Sequence, residues 1–117
     1  MSAQPEDASQ DVIPRPERTV ASLRAALAVV APSRLTEFQA QQADAITQAV
    51  EADTLEPLHG FLLHWAVVVE IERQPQASSR LHRAEYLAQV AEDPAESRAH
   101  ALAAAEIIRA AYRALGA

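Results

Sequence analysis

Apolar residues recur along most of this chain three and four positions apart, the period of a helix that buries one stripe. Val20, Leu23, Leu27 and Val30 mark a first helix over Glu17–Val30. It ends before Pro32, because the residue preceding a proline is pushed out of the helical region. A second helix, with Ser33 as its N-cap, runs to about Ala52. Leu35, Phe38, Ala45, Ile46 and Ala49 form its apolar face, with Gln42 inside the stripe, while Gln39, Gln41, Asp44, Gln48 and Glu51 look outward.

The third segment, Pro57–Arg73, is the most apolar: from Leu58 to Ile71 only His59, Gly60, His64 and Glu70 interrupt it. It carries two apolar stripes, one through Leu58, Phe61, Leu62, Trp65, Val68 and Val69, the other through Leu63, Ala66 and Val67. A helix that apolar has neighbours on most sides. Its second half, Trp65–Glu72, is rich in β-branched residues and also reads as a strand. Pro57 suits the first turn of a helix and no turn signal separates Leu58 from Trp65, so helix is the better reading.

After a break at Pro75, a fourth helix starts at Ser78 or Ser79 and runs to about Ala91, with Leu81, Ala84, Leu87, Ala88 and Ala91 on one face. Asp93-Pro94-Ala95-Glu96 then has a helix-start signature: an aspartate cap, a proline first and a glutamate third. The fifth helix reaches Leu115, with Ala101, Ala104, Ile108, Ala111 and Leu115 inward and Gly116 as its stop. Arg98, Glu106, Arg109 and Arg113 share the opposite face with Leu102. The expected fold is all-α: a compact bundle of about five helices, with short connections between antiparallel neighbours. Residues 1–16 lack apolar periodicity, contain Pro5, Pro14 and Pro16, and read as a flexible, disordered acidic tail. Residues 17–117 read as a single helical domain.

Composition sharpens this picture modestly. At 117 residues the chain supports one hydrophobic core. Much of its 50% apolar content is alanine, and its two glycines leave little for hairpin turns. All ten basic residues are arginine; lysine and asparagine are absent, a codon signature of a high-GC bacterial genome. The net charge of -6 repels nucleic acid on average. No cysteine is present, so disulfides and thiol catalysis are excluded. With no leader peptide and no apolar run long enough to span a bilayer, a cytoplasmic location is expected.

Candidate chemistry is sparse. His59 and His64 lie about 140° apart around a helix, the wrong spacing for a metal pair, and His82 with Glu85 is a lone couple. Ser22, Ser33, Ser78, Ser79 and Ser97 lie outside any nucleophile motif, and no glycine-rich phosphate loop exists. Glu70 and Glu72 sit together at the end of the third helix, where an inward Glu70 would pair with an arginine. No catalytic residue, cofactor or metal is expected. The candidate partner or nucleic-acid contacts are Arg73, Arg80, His82 and Arg83 around the fourth helix, and Arg98, Arg109 and Arg113 on the fifth. The first group allows a helix-turn-helix reading with a break longer than usual.

Four stretches carry a resemblance: LRAAL at Leu23–Leu27, the RLTEFQ run around Phe38, the alanine-spaced helix to Val50, and LEPLHGFLLHW at Leu55–Trp65. Together they resemble an uncharacterised family of small actinobacterial helical proteins, a domain of unknown function. The resemblance covers about a third of the chain, leaves the fourth and fifth helices outside it, and supplies no catalytic residue. It implies a small helical protein with an antitoxin-like role. The expected function is a non-enzymatic protein-interaction or regulatory module with a protein partner or a second copy, and no membrane. The alternatives are a DNA-binding transcriptional regulator using Arg80–Arg83, and a small enzyme or apolar-ligand carrier with a pocket beside the third helix.

Overall fold

The structure is a computed structural model that describes residues 11–117; the expected flexible tail over residues 1–10 lies outside the described residues. The chain is all-α, with five α-helices and no strand among the described residues. In order they are α1 (Val20–Val30), α2 (Leu35–Ala52), α3 (Glu56–Glu72), α4 (Pro75–Val90) and α5 (Pro94–Ala114), with a 3-10 turn at Pro32–Arg34. The chain divides into two units: an N-terminal unit, Ile13–Glu70, and a C-terminal unit of residues 71–117 with Asp11 and Val12.

The N-terminal unit is built on aromatic packing. Leu23, Leu27, Phe38, Trp65 and Val69 are fully buried. The Phe38 ring lies 5.0 Å from Phe61 and 5.3 Å from Trp65, tilted or edge-on as the ring quadrupole prefers. Trp65 Nε1 donates to Gln41 Oε1 at 3.0 Å, and the Arg34 guanidinium lies 4.9 Å from the indole centre. Gln41 is therefore turned toward the core, not outward as the spacing suggests. The strand alternative for residues 65–72 is excluded: the whole stretch is helical. Trp65, Ala66 and Val67 are all buried, which successive helical residues manage only when more than one face is covered.

Helix starts differ from expectation for local reasons. Thr19 caps α1, its Oγ1 accepting from Ser22 N at 3.1 Å, so the helix begins at Val20 and not Glu17. Ser33 lies within the 3-10 turn, so α2 begins at Leu35 without a side-chain cap. Glu56 opens α3 and Pro57 follows it; Thr54 Oγ1 accepts from Glu56 N at 3.3 Å. Gly60 lies in the first turns of α3, and a Cβ built on it meets nothing within 4 Å. No close approach requires this glycine. Gly60→Ala should stabilise the chain by about 0.5–1 kcal/mol, read as a higher urea midpoint at unchanged slope.

In the C-terminal unit, α4 and α5 pack as a helical hairpin. Pro75 does not break the chain before α4; it occupies the first helical position, with Gln74 extended ahead of it. Leu81 and Ala84 of α4 and Ala104 and Ala111 of α5 are buried, and the alanines suit close helix approach. Ala101, expected inward, is exposed, while Ile107 and Ile108 are half-buried. Asp93 caps α5 as its sequence signature indicates, accepting from Ala95 N at 3.3 Å. Ser97 Oγ donates to Ala88 O at 2.6 Å and ties the two helices across their connection. Gly116, with φ 76°, supplies the left-handed stop, and Ala117 N donates to Tyr112 O.

The free tail expected over residues 1–16 does not extend through its last third. In the C-terminal unit, Val12 N donates to Arg73 O at 2.8 Å, and Arg73 Nη1 donates to Asp11 Oδ2 at 2.9 Å. In the N-terminal unit, Arg15 grips Glu70 with two bonds, Nε to Oε1 at 2.8 Å and Nη2 to Oε2 at 2.9 Å. Periodicity cannot register such a segment, because ion pairs and not a stripe of apolar residues hold it.

Candidate functional site

The most exposed apolar surface of the N-terminal unit is the corner where α2 gives way to α3. Asp53 closes α2 in the left-handed conformation, φ 54° and ψ 47°, its N–H bonded to Ala49 O. An aspartate tolerates that region better than most residues, so the chain turns here without a glycine. Thr54 N also donates to Ala49 O, and His59 N donates to Leu55 O at 3.0 Å as α3 begins. The turn leaves an open concavity of about 300 Å³ lined by Ile46, Ala49, Val50, Asp53, Thr54, Leu55 and Leu58. Val50 is 76% exposed, Leu55 62% and Ile46 46%. No lysine or arginine occurs from Leu35 to Glu72, whereas Glu51, Asp53 and Glu56 flank the turn.

Ile46 was expected on the buried face of α2, but it is half in solvent, and Val50, one turn further on, continues it. A sequence signal for the corner existed. Leu55 is a large apolar residue flanked in sequence by the polar Asp53, Thr54 and Glu56.

The arginine candidates fare unequally. Arg73 is buried and held by Asp11. Arg80, His82 and Arg83 are exposed on α4, but the helix opens at Pro75, which places them in its second and third turns. His82 Nε2 lies 2.7 Å from Glu72 Oε2, and Ser78 Oγ donates to Glu72 Oε1 at 2.7 Å. This serine, carboxylate and imidazole do not form the order of a nucleophilic relay: the carboxylate stands between the other two, so the serine proton faces the carboxylate and not the imidazole. On α5, Arg98 and Arg113 are exposed, and Arg109 Nη2 donates to Glu106 Oε2 at 2.7 Å, which lowers the Glu106 pKa. Among the described residues no group of three or more His, Asp or Glu is placed to hold a metal ion.

His64 sits edge-on to Trp65, ring centres 5.2 Å apart. Its pKa is lowered from the ordinary 6.5, first by burial and then by Arg34, with Glu37 opposing. The unfolded chain therefore takes up this proton more readily than the folded one. The associated stability is complete above pH 6.5 and is lost as pH falls through that value toward the lower folded pKa. His64→Gln should lose less stability than the native chain between neutral and mildly acidic pH, measured by urea denaturation at each pH.

The described residues are all-α, and their exposed surface includes an apolar corner and an arginine-bearing helix face. More particularly, the chain belongs to a family of unknown function, DUF6247, whose model matches residues 12–111. The match extends through α4 and most of α5, which the resemblance over Leu23–Trp65 had left out, and it begins within the anchored segment. No curated protein and no solved structure matches the chain. No helix among the described residues is long and apolar enough to cross a membrane.

Proposed function

We propose that the chain is a non-enzymatic protein-interaction module of the regulatory kind, docking through the corner between α2 and α3. The observation that carries this reading is the exposure of Val50 and Leu55 around one apolar concavity. Single apolar residues scattered on a surface need no explanation, whereas several converging on a concavity mark a binding surface. The finer form, taken from the resemblance, is an antitoxin-like protein of the actinobacterial cytoplasm whose corner takes up its partner. The DNA-binding alternative retains Arg80 and Arg83, but Arg73 is engaged internally. The ligand-carrier alternative has the same concavity, which at about 300 Å³ and open to solvent is at the small end for a buried small molecule.

A photo-cross-linking residue placed at Val50 tests the reading in cells that make the chain. A discrete protein adduct is expected at Val50 and none at Gln48, which is also exposed on α2. An absence of adducts at both positions, in cells that make folded protein, refutes a docking role for the corner.

A further inference from the structure

The outer face of α5 is the chemical counterpart of the corner. At about 100° per residue, Arg98, Leu102, Arg109 and Arg113 fall within an arc of about 60°, and Glu106, about 20° beyond it, is paired with Arg109. Leu102 is 62% exposed at its centre, with arginines on both sides along the helix. The corner inverts this arrangement: Ile46, Val50 and Leu55 present apolar surface, Asp53 lines the concavity, and Glu51 and Glu56 neighbour it in sequence.

From this complementarity we propose that the occupant of the corner is α5 of a second copy of the chain, so that the protein associates head to tail. The proposal rests on the docking reading above and names its partner. Leu102 of one copy enters the concavity of the next, and Arg98 and Arg113 meet the carboxylates of the turn, Arg109 being held by Glu106 of its own helix. Arginine suits this role because its planar fork pairs with carboxylates bidentately and sheds water more readily than an ammonium. The two surfaces differ, so each contact leaves one corner and one α5 face unoccupied. Such an interface adds further copies unless it closes into a ring.

Sedimentation of the full chain over roughly a hundredfold range of concentration tests this, since association follows mass action. At low salt the average mass should rise with concentration past the dimer or to a closed ring. It should fall back in about 1 M salt, where the screening length shrinks to about 3 Å. Val50→Glu and Leu102→Glu alter exposed residues, so each variant should keep its helical circular dichroism and remain monomeric alone. An equimolar mixture of the two should form a dimer that grows no further, because one intact corner and one intact α5 face remain. A native chain that stays monomeric throughout overturns the proposal. So does a native dimer whose two variants fail to complement each other, the behaviour of a symmetric interface. A monomeric native chain that still yields a foreign adduct at Val50 overturns self-association while leaving the docking reading intact.

Discussion

Trp65→Ala is expected to remove about 3–5 kcal/mol of stability, the range for deleting a large aromatic side chain from a packed core. Trp65 is fully buried, packs edge-on to Phe38 and is covered by the Arg34 guanidinium. Alanine leaves a void beside Phe38, and it leaves Gln41 without its donor. A small domain has a total margin of about 5–15 kcal/mol, so the variant should be near unfolding at room temperature. Trp65→Phe retains a ring in the cluster and gives up the hydrogen bond to Gln41, so most of the loss should be recovered. Urea denaturation followed by circular dichroism compares all three chains. A Trp65→Ala midpoint close to that of the native chain would remove the aromatic cluster from the centre of this unit.

The second large effect belongs to a surface arginine. Arg15→Ala is expected to cost about 2–3 kcal/mol, because it takes a bidentate partner from a carboxylate that is 3% exposed. The figure sits below that for a fully interior pair because the Arg15 side chain is 47% exposed and water screens it. Glu70→Leu in the same chain replaces the buried charge by an apolar side chain, so the double variant should recover most of the loss. Arg15→Lys should recover only part, since an ammonium cannot reproduce both bonds of the guanidinium fork. Equal losses in the single and double variants would show that the ion pair itself, and not the desolvated carboxylate, sets the cost.

Much of the fold was legible because it rests on periodic burial. The stripes of Leu23 and Leu27, of Phe38 and Ala45, and of Phe61, Trp65 and Val69 are all buried in the structure. The Asp93 cap was legible because its residues act within one turn of one another. What escaped periodicity depends on groups far apart in sequence. Arg15 with Glu70, and Asp11 with Arg73, hold a segment that has no apolar stripe. The start of α4 is ambiguous in the sequence because a proline such as Pro75 ends a helix but is equally at home in the first turn of one. The corner at Val50 and Leu55 was hidden for a different reason. A helical stripe shows which residues share a face, but not how far along the helix that face stays covered.

The placement of the aromatic residues also divides the chain spectroscopically. Its single tryptophan lies within Ile13–Glu70, whereas both tyrosines, Tyr86 and Tyr112, lie in the α4–α5 hairpin. Indole emission therefore reports on one unit, and fluorotyrosine labelling read by fluorine resonance reports on the other. The melting of each can be followed in the same sample, with no label attached to a cysteine or a lysine, neither of which the chain contains.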